Sequence, residues 1–455
     1  MARKKKTSRK NKKIVKMEAL KQINFNAAGL DIGSAEIWVA VPEERDERTV
    51  RKFDTFTTDL NALTDWLISC DVDTVAMEST GVYWVPIFEI LEERGLEVLL
   101  VNARHIKNVT GRKTDVLDCQ WIQQLHTYGL LRGSFQPSAE IAALRAYIRH
   151  RNNLLRYRAA HTQHMQKALH LMNIQLTNVL SDITGATGML IIRDIIAGIH
   201  NPIMLAQHRN PRCHSTEDEI AKALTGNYRQ EHLFALQQAV ELYDFYTKQV
   251  ENCDTKIEEM YSNFAPKADI LVNPLPPVKK RKRKNNPHFD LRSKLYQICG
   301  VDLTRIDGLD SILVQDIISE IGINMSKWKS SKHFSSWLRL CPYNDISGGK
   351  VLKSRTGKTT NRANLAFRLA AWSAGKSDSV IGAFYRRIKA RHGAPKAITA
   401  TAHKIARIVY HMLKYQEEYK DSGAETYEIQ YQARILKNLQ RKAKKLGMAL
   451  TPLAT

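Results

Sequence analysis

Between residues 26 and 136, short β-prone runs alternate with helical ones, and that alternation restricts the stretch to a layered α/β fold. Strands are expected at 27–41, 48–57, 73–78 and 96–101, and helices at 59–69, 84–94 and 113–128. Four acids hold telling places in this pattern. Asp31 lies in Gly29-Leu30-Asp31-Ile32-Gly33-Ser34, just before the β-prone run Ile37-Trp38-Val39-Ala40-Val41. Glu78 ends the strand Thr74-Val75-Ala76-Met77 and starts the turn Ser79-Thr80-Gly81. Asp115 and Asp118 are three residues apart and share one face of the third helix. Carboxylates at strand ends and on one helical turn can converge on hard divalent cations.

The charge balance indicates what such a site would face. The chain has 455 residues, 69 Lys+Arg against 46 Asp+Glu, and a net charge of +23. That excess favours a polyanionic partner, because binding releases counterions condensed on a phosphate backbone. Charge alone fits a basic ribosome-associated factor equally well. The six cysteines, Cys70, Cys119, Cys213, Cys253, Cys299 and Cys341, form no Cys-x-x-Cys pair. This argues against a zinc finger or disulfide scaffold and for reduced thiols in the cytoplasm. No apolar run is long enough for a membrane span; Met189 to Ile199 is broken by Arg193 and Asp194. The basic N-terminus lacks the hydrophobic segment of a secretory signal.

The organisation expected along the chain has six parts. Residues 1–25 form a disordered basic arm, with ten Lys/Arg and one Glu in residues 1–22. The acid-bearing α/β domain covers 26–137. Residues 138–264 form a helical coiled-coil region. In it a long helix over 138–180 carries Leu144, Ile148, Leu155, Met165, Leu169, Met172 and Leu176, interrupted by Arg151, Arg158 and Thr162. A second run over 217–262 repeats Leu236, Tyr243, Val250 and Ile257 every seven residues. The pair fits an antiparallel arm, an intermolecular coiled coil, or two helices packed within one chain. Residues 265–290 form a Pro-rich linker with six consecutive basic residues, Lys279 to Lys284. Residues 291–421 form a mainly α-helical domain, and 422–455 a basic tail. Ile306-Asp307-Gly308-Leu309-Asp310 resembles a helix-hairpin-helix turn, except that Asp310 stands where glycine is usual.

The four acids match the layout of an RNase H-like nuclease fold, in which two Mg²⁺ ions stabilise the attacking and leaving oxygens of a phosphodiester. Singly, each acid has a plainer explanation as a turn, cap or solvated residue. The Asp31 turn also resembles that of actin-like ATPases, but those require a second phosphate loop, and none follows residue 150. A second constellation is Pro342-Tyr343-Asn344-Asp345-Ile346-Ser347-Gly348-Gly349-Lys350. A serine on a glycine turn, followed by Lys350, Lys353, Arg355 and Lys358, can attack phosphorus and form a phosphoserine. Alternatively Ser347 only donates a hydrogen bond to phosphate.

These acids, Thr80-Gly81-Val82-Tyr83-Trp84, Lys113-Thr114-Asp115-x-x-Asp118 and Ser347-Gly348-Gly349-Lys350 resemble the insertion-sequence one-ten family of bacterial DEDD transposases, related to Piv-type DNA invertases. The resemblance covers about 26–420 and implies a RuvC-like (RNase H-like) DEDD domain, a helical coiled-coil region and a mainly α-helical transposase domain with the serine loop. It implies a recombinase guided by a structured bridge RNA that pairs with donor and target DNA. Asp31, Glu78, Asp115 and Asp118 would bind Mg²⁺, two ions in all, and Ser347 would be the nucleophile. Lys113, Lys350, Lys353, Arg355, Lys358 and Arg362 would contact nucleic acid. A serine from one subunit would act with the acids of another in a tetramer, a dimer of dimers, within the bacterial nucleoid. The chain departs from the family in its long basic arm, its linker, its tail and the segment Lys358-Thr359-Thr360-Asn361-Arg362. Two other readings stand beside this one: a RuvC-like junction resolvase in which Ser347 is structural, and a non-catalytic nucleic-acid-binding protein.

Overall fold

The computed structural model describes residues 21–79, 81–102, 115–277, 284–357 and 359–451. The chain divides into two compact units after Gln136. Lys113, Lys358, most of the N-terminal arm and most of the linker's basic run lie outside the described residues.

The first unit is a mixed five-stranded sheet, order β3-β2-β1-β4-β5, built from β1 Ala27–Ile32, β2 Glu36–Ala40, β3 Val50–Asp54, β4 Thr74–Glu78 and β5 Glu97–Val101. β1 is antiparallel to β2 and parallel to β4; β2–β3 is antiparallel and β4–β5 parallel. The single strand expected over 27–41 is a hairpin. Gly33 N donates to Glu36 O at 2.9 Å, and a Cβ at Gly33 would lie 2.9 Å from that oxygen. Gly33 thus closes a tight chain reversal.

Strand alternation gives the sheet two faces. Ala28, Leu30, Ile32, Val75 and Met77 point to one, where Leu60, Leu63 and Leu67 of α1 (Thr57–Ser69) and Ile87, Phe88 and Leu91 of α2 (Trp84–Glu93) cover them. α3 (Asp115–Thr127) covers the other face. There Gly29 pairs with Ala40 on one side and Ala76 on the other, forming a row of small residues across three strands. The helix lies close on that row: a Cβ at Gly29 would meet Gln123 N at 2.3 Å and Cys119 O at 2.4 Å. Its C-terminal end is fixed by Ile23 N donating to Thr127 O and Asn24 Nδ2 donating to His126 O at 2.7 Å.

The second unit begins with two long helices, α4 (Ala139–Leu171) and α5 (Gln230–Asn263). They pack antiparallel within the chain. Cys253 Sγ donates to Tyr147 O, Arg158 lies over the Tyr243 ring, and His161 stacks on Tyr246. Arg151, a break in the apolar stripe by sequence, is buried here and bonded to Asp254 of α5, also buried. The expected 138–180 helix stops early because Asn173 takes φ +57° and Ile174 N bonds back to Leu169 O. The 217–262 run is likewise split, into Glu217–Ala223 and α5, with Tyr228 at φ +43° between them.

The rest of the unit is mostly helical: α6 Leu291–Cys299, α7 Ser311–Ile321, α8 Ser331–Trp337, α9 Arg362–Ala374, α10 Val380–His392, α11 Ala394–Tyr415 and α12 Ala424–Lys445. Arg149 Nη2 of α4 donates to both carboxylate oxygens of Glu320 of α7, each at 2.8 Å. The exception to the helices is the hairpin of β6 (Pro342–Ser347) and β7 (Lys350–Thr356). At the helix-hairpin-helix-like turn, the Asp310 carboxylate accepts from Leu313 N at 2.9 Å and caps α7. Gly308 (φ +93°) is packed against α9, where a Cβ would lie 2.2 Å from Ala370 O. The turn is therefore enclosed in packing. Among the described residues no helix is long and apolar enough to cross a membrane.

Candidate functional site

Register places the acids. Gly29 and Ala76 face α3, so Asp31 and Glu78, two residues further along their parallel strands, face the same side at the C-terminal edge of the sheet. α3 runs back along β4. His126 Nε2 is 2.9 Å from Thr74 Oγ1, and Ile122 packs with Ala76. Four helical residues rise about 6 Å and two strand residues about 6.6 Å, so the next turn brings Asp118 abreast of Glu78. On β1, Gly29 lies beneath the stretch from Cys119 to Gln123, so Asp31 falls under the turn that begins at Asp115.

The electrostatics of Cys119 agree with this register. Burial pushes its thiol up to about 12, and the carboxylates of Asp31 and Asp118 add to the shift. Both acids therefore lie near that sulfur. Asp31, Glu78 and Asp118 are half-buried. Asp115 opens α3, where the helix dipole favours a negative charge, and its side chain lies outside the described residues.

A set of carboxylate oxygens suits a hard cation such as Mg²⁺. Among the described residues, no group of three or more His, Cys, Asp or Glu side chains is arranged to hold a metal ion. Asp31, Glu78 and Asp118 thus supply the donor chemistry of a carboxylate site on one side of the sheet without being gathered as a metal cluster, and the Asp115 side chain lies outside the description.

The serine segment belongs to the second unit. Ser347 and Lys350 close a two-residue turn in which Gly348 and Gly349 have φ +54° and +75°. Positive φ at both central residues is the type I′ geometry that matches strand twist, which explains the two glycines. All of β6 and nearly all of β7 are exposed. The ladder pairs Ser347 with Lys350, Ile346 with Val351, Asp345 with Lys353 and Tyr343 with Arg355. Between the pairs at Ile346 and Asp345, β7 has one extra residue, Leu352, a β-bulge. Because β6 alternates regularly, Tyr343, Asp345 and Ser347 share a face, and so do their partners. The bulge thereby brings Lys350, Lys353 and Arg355 onto the Ser347 face. Without it the odd spacing of Lys350 and Lys353 would put them on opposite faces. Arg362 is exposed at the first turn of α9, after Asn361, whose side chain caps Asn364 N at 3.2 Å.

Sequence reasoning had no access to the small-residue row under α3, since Gly29, Ala40 and Ala76 gain meaning only once paired. The bulge was equally hidden, although an odd cation spacing next to an even strand period was a signal for it.

Two family models match the chain. Residues 28–174 match the IS110-type DEDD transposase model, described as transposase, and residues 302–386 match the model of the transposase IS116/IS110/IS902 family. The first segment holds Asp31, Glu78, Asp115 and Asp118; the second holds the Ser347 hairpin. No curated protein matches the chain. Together the two segments span just over half of the sequence in that order. The chain has the domain architecture of an IS110/IS902-family DEDD transposase and is an enzyme of that family.

Proposed function

We propose that this transposase is a Mg²⁺-dependent DNA recombinase that cuts and rejoins donor and target duplexes through a phosphoserine at Ser347, guided by a structured RNA. The observation that carries the reading is the bulge-aligned face of the hairpin, which groups Ser347 with Lys350, Lys353 and Arg355. These cations, with Lys353 also 3.9 Å from Asp345 on the same face, would hold a phosphate within reach of the serine hydroxyl, as a nucleophile requires.

On this reading the N-terminal unit is RuvC-like. Its sheet order and the register of Asp31, Glu78 and α3 support an RNase H-like assignment. Asp31, Glu78, Asp115 and Asp118 would hold Mg²⁺, which when bound would supply positive charge at the attacking and leaving oxygens. The other steps belong to the chain. Lys350, Lys353 and Arg355 hold the phosphate at the hairpin and balance the charge that builds on its oxygens. Ser347 Oγ gives up its proton and bonds to phosphorus. The bond from phosphorus to one deoxyribose oxygen breaks, and that oxygen takes a proton. The new ester keeps the phosphate activated, so a second strand's hydroxyl can displace Ser347 and restore a phosphodiester. The guide RNA, the dimer of dimers and the nucleoid location follow from the family resemblance, and the net charge of +23 suits both nucleic acids.

The test is to incubate protein, RNA and DNA with Mg²⁺ and look for a denaturation-resistant protein–DNA adduct. The adduct should form, and Ser347→Ala should abolish it. Cleavage that persists in Ser347→Ala would instead identify a RuvC-like structure-selective endonuclease. Unchanged activity in Asp31→Ala would sink both enzymatic readings.

A further inference from the structure

At and beyond the C-terminal end of the second matched segment, α10, α11 and α12 enclose a cleft of about 860 Å³. Cations line it: Arg387 from α10, Lys404 and Arg407 from α11, and Arg434 from α12. Aromatic rings interleave with them. The Arg387 guanidinium lies 3.7 Å from the Tyr431 ring centre and 4.5 Å from that of Tyr427. Lys404 Nζ lies 4.9 Å from Phe384 and 5.1 Å from Tyr427.

Charge in the cleft is poorly balanced. Arg387 Nη1 is buried with no hydrogen-bond partner, which ordinarily carries a substantial cost. Of the two acids in the lining, Glu418 accepts from Asp302 N at 2.9 Å through Oε1, while its buried Oε2 lies 3.6 Å from Arg305 without a hydrogen-bond partner. Burial holds Lys404 and Arg387 below their ordinary values; for Lys404 the neighbouring Arg387 and Arg434 push the same way, while Asp421 opposes the shift at Lys404 and Glu428 opposes it at Arg387. A bound anion would relieve Arg387 and Lys404.

We propose that this cleft binds a short stretch of single-stranded nucleic acid, with phosphates among Arg387, Lys404, Arg407 and Arg434 and a base against the tyrosine wall. Its volume admits one or two nucleotides, while a duplex is far too broad to enter. Cations tracking a backbone beside aromatic rings are the means by which proteins hold single strands. The basic face of α12, with Lys437 and Arg441, extends the positive surface beyond the cleft. The choice of nucleic acid over a small anion rests on the recombinase reading above.

The experiment measures binding of the full-length protein to a labelled single-stranded RNA, the same sequence as single-stranded DNA, and duplex DNA, over a salt series. Arg407 and Arg434 are exposed, so the double variant Arg407→Glu/Arg434→Glu should keep the fold, checked by its melting temperature. It should bind single strands at least about tenfold more weakly, with a salt slope shallower by roughly 1.4, the value for two lost phosphate contacts. Tyr431→Ala should weaken single strands and spare the duplex. Lys329→Glu/Lys332→Glu, with the same charge change at exposed sites outside the cleft, should have a much smaller effect. A loss for RNA alone assigns the cleft to RNA; a loss for both single strands assigns it to the backbone they share. Unchanged single-strand binding, an equal loss for duplex, or a changed oligomeric state with unchanged binding would overturn the proposal. Adduct formation at Ser347 is read separately, so failure of the cleft and failure of the recombinase reading give different patterns.

Discussion

Gly29 and Gln123 are in backbone contact: a Cβ at Gly29 would sit 2.3 Å from Gln123 N. The contact sets how closely α3 lies on the sheet, and α3 carries Asp115 and Asp118. Gly29→Ala should push the helix outward and destabilise the unit by about 1–3 kcal/mol, as overpacking does. DNA cleavage should fall further than the melting temperature explains, because the helix acids move relative to Asp31 and Glu78. Full cleavage at an unchanged melting temperature would show that this contact does not position the acids.

His126 makes stability depend on pH. It is buried beside Thr74, and burial lowers its pKa from 6.5 to about 4. Above about pH 6.5 both folded and unfolded chains hold it neutral and it has no effect. As pH falls from there toward 4, the unfolded chain takes up a proton that the folded chain refuses, so stability drops. The shift corresponds to about 3 kcal/mol at most. Melting curves at pH 7 and pH 4.5 should show the loss in the wild type, and His126→Gln should flatten this component.

The coarse fold is legible in the sequence: an α/β region, long helices, then a mostly helical region. Period-2 and period-3.6 patterns report burial directly, and both are present. What escapes the sequence is whatever depends on a partner distant along the chain. Arg151 reads as a flaw in an apolar stripe until Asp254, 103 residues away, is placed opposite it. The acids can be chosen by their places at strand ends and on one helical turn. That Asp118 comes abreast of Glu78 depends on how far α3 slides along β4, which no local pattern encodes. The Leu352 bulge changes which residues share a face without leaving any mark on local propensity.

The Arg151–Asp254 pair gives a stability test. Each residue is 3% exposed, and Arg151 also donates to Asn285 O at 2.9 Å. Removing one partner leaves a buried charge, so Asp254→Ala should cost about 3–5 kcal/mol in chemical denaturation. Replacing both, as Arg151→Met/Asp254→Leu, should recover most of the loss, because two desolvated charges are exchanged for apolar contact across α4 and α5. A double variant no better than the single would mean that the pair stabilises through geometry that apolar packing cannot replace.

The hairpin supplies the sharpest test of the serine reading, since its bulge can be removed in two ways. Deleting Leu352 makes the strands equal in length and keeps every other cross-strand pair, so Lys350, Lys353 and Arg355 stay on the Ser347 face. Inserting Ala between Asp345 and Ile346 also makes a regular ladder, with Leu352 now paired. It shifts the alternation, however, and carries Lys353 and Arg355 to the face opposite Ser347 and Lys350. Both variants keep the Gly348-Gly349 turn and every charged residue of the hairpin, and both should melt close to the wild type. The deletion should retain most adduct formation. The insertion should lose about a hundredfold, the scale of removing a charge-stabilising group from a transition state. Equal activity in the two variants would show that Lys353 and Arg355 do not act with Ser347; loss in both would show that the bulge matters for its bend rather than for the face it creates.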